Sequence, residues 1–215
     1  VAQIFNRNAN KWPIYLAVIV VGLLVGTTFF FYYYGSPKYT DVGYQPVQPV
    51  EYSHKLHAGD LGIDCRYCHS NVEVSAKANV PATEICMNCH IIIGHDKKTL
   101  DPVRESWTSG KSIEWIRVHD LPDYVFFDHS AHLTAGVGCE SCHGNVAAEK
   151  RVTQKKELSM SWCLTCHRNP EMNLRPHDEI TTMGWEPPNN QMAFAHKVMQ
   201  EKKINPPTDC SGCHR

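Results

Sequence analysis

The ten cysteines of this chain fall into Cys-x-x-Cys pairs, and histidine follows every pair. The pairs are Cys65 and Cys68, Cys86 and Cys89, Cys139 and Cys142, Cys163 and Cys166, and Cys210 and Cys213. Their following residues are His69, His90, His143, His167 and His214, and no cysteine is left over. Zinc ribbons pair Cys-x-x-Cys units but have no need of histidine at the next position. A disulfide framework has no reason to repeat that histidine either. The spacing is that of covalent c-type haem attachment. Two cysteines three apart form thioethers to the two vinyl groups of one haem, and the adjoining histidine is held beneath the iron as its proximal ligand. Five such motifs predict five covalently bound haem c groups.

A second pattern precedes three of these motifs. Tyr52-Ser-His54-Lys-Leu-His57, Phe127-Asp-His129-Ser-Ala-His132 and Phe194-Ala-His196-Lys-Val-Met199 all read aromatic-x-His-x-x-(His or Met). They supply five further imidazoles, matching five irons that each need a sixth ligand. Two histidines one helical turn apart cannot both reach one iron from the same side, so each doublet serves two haems. The assignment is His54 with His69, His57 with His90, His129 with His143, His132 with His167, and His196 with His214. Spacing leaves the neighbour that each histidine reaches open. Met199, where a second histidine would stand, is either a packing residue or a ligand that raises its haem's potential, and Met160 poses the same choice. His119 is the spare histidine best suited to displace one of the five, whereas His95 and His177 suit the surface or a propionate.

Thirteen prolines and thirteen glycines in 215 residues favour turns over long regular elements. Beyond the N-terminal apolar stretch, each haem has roughly 35 residues to itself, and porphyrin faces stand in for much of an ordinary core. The expected fold is a multihaem cytochrome c, with short helices and loops wrapped around five haems, little sheet, and one N-terminal transmembrane helix. The formal charge of −1 becomes about −6 with five oxidised haems and about −11 with five reduced ones, propionates included. No basic run or reading motif suggests nucleic acid.

Ile14–Tyr34 carries no charged residue and as a helix spans about 31 Å, enough for the hydrocarbon layer. Trp12 and Tyr32–Tyr34 place aromatics at both interfaces. The stretch is longer than a signal-peptide apolar region and lacks a following Ala-x-Ala. It therefore predicts a retained single-pass anchor in the cytoplasmic membrane. Arg7 and Lys11 put residues 1–13 in the cytoplasm and the haem domain on the periplasmic or other extracytoplasmic side. Gly22 and Gly26 would admit a partner helix. Residues 35–52 read as an extended linker, and residues 53–215 as the pentahaem domain. Its modules are 53–100, 123–170 and 191–215. Residues 99–122 connect the first two, with a short strand near Ile113–His119, and 171–190 form a loop. The third module opens with a helix over Phe194–Lys203.

Nearly the whole chain resembles the pentahaem cytochrome subunit of alternative complex III, a membrane quinol:acceptor oxidoreductase that replaces the cytochrome bc complex in some bacteria. The resemblance rests on Gln48–His57, Ile63–His69, Pro81–His90, Ile113–His119 through Asp128–His132, and Leu158–His167. It implies electron relay from quinol-oxidising membrane and iron–sulfur subunits to a monohaem cytochrome c or terminal acceptor, with no substrate site in this chain. Two rival readings are a self-sufficient quinol dehydrogenase of the small membrane-anchored multihaem family and a catalytic multihaem enzyme. In the first, methionine follows the first motif closely, whereas Ser70 and Asn71 follow His69 here. The second needs an open iron, and all five motifs end in histidine with distal candidates to spare. After denaturation and acid–acetone extraction the mature chain should retain five haems, counted as pyridine haemochrome per polypeptide. Four or fewer would show that a motif goes unused.

Overall fold

The structure, a computed structural model, describes residues 4–214 and divides after Val42 into two compact units. The first unit opens on a 3₁₀ turn, Arg7–Lys11, capped by the Asn6 side chain. That turn runs straight into helix α1, Trp12–Tyr33. Pro13 lies at the start of α1, where its fixed φ suits a first turn and its missing N–H costs nothing. This is why the helix begins two residues ahead of the apolar run. Arg7–Tyr33 is long and apolar enough to cross a membrane, and none of it is buried. Among the described residues no atom outside the helix lies within 4 Å of a Cβ built on Gly22 or Gly26. Helix α2, Pro37–Thr40, adds a turn within the stretch expected to be extended. Tyr39 caps the tyrosine cluster there, 5.9 Å from Tyr33 and 4.7 Å from Tyr34 between ring centres.

The second unit, from Gly43 onward, is built of short helices. They are α3 Cys65–Cys68, α4 Thr83–His90, α5 Asp101–Ser109, α6 His129–Ala135, α7 Cys139–His143, α8 Met160–Arg168, α9 Gln191–Glu201 and α10 Cys210–Cys213. Every Cys-x-x-Cys is thus a helical turn, which sets both thiols on one side of the chain. Sequence supplies the starts. Asp64, Asp128, Ser159 and Asp209 accept backbone N–H groups at the heads of α3, α6, α8 and α10. Among the described residues there is no strand, only isolated antiparallel bridges of Val125 with His214 and Val137 with Leu174. The strand expected near Ile113–His119 is replaced by a side chain acting as a pairing partner. The Gln48 amide accepts from Ile116 N at 2.9 Å and donates to Ile116 O at 2.8 Å. Helix α9 begins ahead of Phe194 because buried Gln191 donates to Leu174 O and Glu171 O, at 2.7 and 2.6 Å. His57 lies on a π-helical turn, Lys55–Asp60, wider than the α turn that carries His129 and His132.

The core is sparse and split. Val50, Met87 and Val103 form one apolar cluster, and Val72, Leu133 and Ile180 another. Between the first two modules the contacts are reciprocal. The histidine turn of the first docks on the loop after the second module's attachment turn, with Lys55 N bonded to Glu149 O at 2.8 Å. The histidine turn of the second docks on the corresponding loop of the first, with His129 N bonded to Ala76 O at 3.2 Å and Ser130 N to Ser75 O at 3.3 Å. Leu133 packs on Val72, and in the counterpart contact Gly59 lies so close to the Ala147 carbonyl that a Cβ would not fit. The equivalent residues Cys65 and Cys139 meet between the modules. This is the pattern of a two-fold, in which residue i meets j and the counterpart of j meets that of i. Ile180, at 1% exposure, tests the second cluster. Ile180→Ala should cost about 2–5 kcal/mol, read as a lower denaturant midpoint of the haem-loaded chain, while exposed Val47→Ala leaves the midpoint in place.

Candidate haem attachment sites

Each histidine doublet is organised by one aromatic ring. Tyr52 stands edge-on to His54, with ring centres 4.8 Å apart at 86°, and stacks on His57 at 4.5 Å and 19°. Phe127 does the same in the second module, at 4.8 Å and 89° to His129 and 4.5 Å and 31° to His132. The rings are further fixed from behind. His57 Nδ1 donates to Ser53 O at 2.9 Å and His132 Nδ1 to Asp128 O at 2.7 Å, in both cases the carbonyl four residues back. His129 Nδ1 donates to Ala76 O at 2.8 Å. The attachment histidines follow suit: His69 to Asn79 O at 2.6 Å, His90 to Ile93 O at 2.9 Å, His167 to Pro207 O at 2.6 Å and His214 to Tyr124 O at 3.2 Å. A carbonyl only accepts, so Nδ1 must carry the proton in all seven. That leaves the Nε2 lone pair available to a metal and sets the ring's orientation.

The opposed rings have the spacing that iron requires. Ring centres lie 6.1 Å apart for His57 and His90, 6.1 Å for His132 and His167, and 6.4 Å, nearly parallel at 9°, for His129 and His143. Two imidazoles bound trans to one metal, each through a bond of about 2 Å, have centres about 6 Å apart. Among the described residues no three His, Cys, Asp or Glu groups converge on a point. Paired imidazoles with cysteines beside them therefore suit an iron that brings its other four ligands in a porphyrin. At four histidines burial favours the neutral form that ligates: it lowers His54 to about 4 and His143 to about 3, and pushes His132 and His119 down as well.

The remaining candidates are less closely joined. His54 lies within electrostatic reach of His69, and its Nδ1 is buried with no hydrogen-bond partner. His119 packs edge to face on His143 with centres 4.4 Å apart, too close for the two to share an iron in trans, and its buried Nε2 has no partner. His196 faces Glu171 instead, Nε2 to Oε1 3.8 Å, with its side chain 59% exposed. His214 stacks on Tyr124, ring centres 5.8 Å apart. Met160 is exposed and Met199 half-buried. His95 is exposed, and His177 lies 3.6 Å from Glu73.

Arg175 escaped the sequence reading. Its buried guanidinium lies 4.8 Å from the Trp185 ring centre and donates to Thr182 O at 2.8 Å and Glu179 O at 3.3 Å. It shapes a strap whose Ile180 O receives the first N–H of α7, from Cys139, at 3.0 Å. The one available signal was the pair Gly136 and Gly138. A Cβ at Gly138 would strike the Arg175 side chain, and Gly136 has φ +102° against the Arg175 carbonyl.

The family described as cytochrome c7 and related cytochrome c matches residues 125–215. The chain is also 33% identical over 174 residues, covering 71% of itself and 81% of the relative, to the menaquinone reductase multihaem cytochrome c subunit of Nitratidesulfovibrio vulgaris.

Ligation is testable by spin state. His57→Ala and His132→Ala should each turn one low-spin ferric haem high-spin in low-temperature EPR of the oxidised protein, with haem content unchanged. His177→Ala, at an exposed ring, should leave the spectrum as it was.

Proposed function

We propose, starting from a chain that belongs to the family of multihaem cytochrome c subunits, that it is a membrane-anchored pentahaem electron relay. Partner subunits that exchange electrons with quinol lie on one side of the relay, and a cytochrome or terminal acceptor on the other. The observation that carries this reading is the set of imidazole pairs about 6 Å apart beside Cys-x-x-Cys turns. Haem c supplies reversible one-electron chemistry when bound. The chain's own residues hold it. Cys65, Cys68, Cys86, Cys89, Cys139, Cys142, Cys163, Cys166, Cys210 and Cys213 are the thioether positions. His69, His90, His143, His167 and His214 are the proximal ligands. His54, His57, His129, His132 and His196 are the distal ones, where the support for His196 is the motif alone. These histidines would hold each iron from both sides and leave no position for substrate, and a chain so ligated would relay electrons rather than catalyse.

The helix α1, long and apolar enough to span, supports anchoring with the haem domain on the periplasmic side, as Arg7 and Lys11 imply. The assembly we favour is alternative complex III, in which an iron–sulfur subunit stands between quinol and this chain. A second reading reverses the flow: the relative's name is that of a menaquinone reductase, which implies electrons passing toward quinone. Anaerobic mixing of the membrane-extracted assembly with menaquinol distinguishes the two. Growth of the reduced haem bands is the expected result. Haems that stay oxidised with menaquinol, yet are oxidised by menaquinone after chemical reduction, would establish the reverse direction.

A further inference from the structure

We infer that the five attachment sites form an unbranched row in the order His90, His69, His143, His167, His214, which differs from their order in sequence. The sites of His90 and His214 are its two ends, where electrons enter and leave. The inference rests on the electron-relay reading for its meaning, but its geometry stands apart from that reading.

Each neighbour relation has its own contacts. The sites of His90 and His69 share the π-helical turn that carries His57 and opens on His54 as its cap, and the Tyr52 ring touches both of those histidines. Between the two attachment turns, Asn88 Nδ2 donates to Tyr67 Oη at 3.2 Å, and Cys68 lies within electrostatic reach of Cys86 and Cys89. The thiols stand in here for thioether sulfurs, and what matters is their position. The sites of His69 and His143 meet across the pseudo-two-fold, where the sulfurs of Cys65 and Cys139 are in contact. The reciprocal bonds of Lys55 to Glu149 and of Ser130 to Ser75 flank that meeting point. The sites of His143 and His167 share α6, with His129 and His132 one turn apart under Phe127, and Cys142 is near Cys163 and Cys166. The site of His167 leans on the last module through its bond to Pro207 O at 2.6 Å, and Cys163 is near Cys213.

Exposure picks out the same ends independently. Of the ten cysteines, Cys89 and Cys210 are exposed and the other eight are partly covered. One belongs to the His90 site and the other to the His214 site. The central position of His69 and His143 follows from the two-fold, which brings first sites together and turns the second sites outward.

Electron cryomicroscopy of the haem-loaded chain in its membrane-extracted assembly reads the order directly, from the haem on each attachment histidine and its nearest neighbours. The expected map gives the haems of His69, His143 and His167 two neighbours each, and those of His90 and His214 one each. A haem of His90 or His214 lying between two others, or a haem with three neighbours, overturns the inference. Menaquinol reduction of the same preparation keeps the two ideas separate. A different order with reducible haems sinks the row and spares the relay, whereas the expected order with haems that menaquinol does not reduce supports the row and sinks the relay of electrons from quinol.

Discussion

The bond from imidazole Nδ1 to a backbone carbonyl is the constraint on which this fold depends. A histidine that must offer Nε2 to a metal has to dispose of its other proton, and a carbonyl fixes both the tautomer and the ring plane. In this protein the acceptor often lies far along the chain: Asn79 for His69, Tyr124 for His214, Pro207 for His167 and Ala76 for His129. The long irregular connections are therefore frames that bring a carbonyl to a ring. Asn79 shows what that takes locally. It adopts φ +63°, a left-handed conformation that asparagine tolerates better than most residues, and so turns its carbonyl toward His69.

Such a frame does not rest on a large apolar core. The two clusters of buried aliphatic residues each join a histidine-bearing or cysteine-bearing turn to a distant strap. Val103 and Met87 back α4 against α5, and Ile180 with Val72 and Leu133 closes the seam between the first two modules. Burial here positions the cysteine- and histidine-bearing turns and does not fill an interior. The same economy explains the buried Arg175, whose charge is matched by carbonyls and an indole face in place of a carboxylate.

How much of this was legible in the sequence depended on whether a residue type carried the job. Cysteine pairs followed by histidine, aromatic rings two residues ahead of histidine doublets, and an uncharged apolar stretch can each be read directly, because only those side chains do that work. One helical turn between the members of each doublet required each doublet to serve two sites, but spacing left the neighbour open, and it is the fold that sets His57 opposite His90, His129 opposite His143 and His132 opposite His167. The carbonyl acceptors were not, because every residue has a carbonyl and composition says nothing of where it points. The π-helical turn at Lys55–Asp60 was hidden too, as its sequence suits an α turn equally well. Helix α9 outran its predicted start because buried Gln191 is held by carbonyls from a different loop, a tertiary contact without a local signature. For the last site, sequence offered His196 by analogy, and the ring faces Glu171, so the motif alone speaks for its role.

The exchange of loops between the first two modules also governs how the chain can be made. Lys55 emerges early in synthesis, but the carbonyl its N–H needs belongs to Glu149, which has yet to be joined. The first histidine turn must therefore wait, loosely held, while nearly half the chain is added. The loop at Ser75 and Ala76, by contrast, is already present when His129 and Ser130 arrive. Closing so large a loop is slow in entropy terms. A chain truncated between the modules would leave the Lys55 N–H without the Glu149 carbonyl that receives it, or the His129 N–H without that of Ala76, so each module borrows from the other part of what holds its histidine turn.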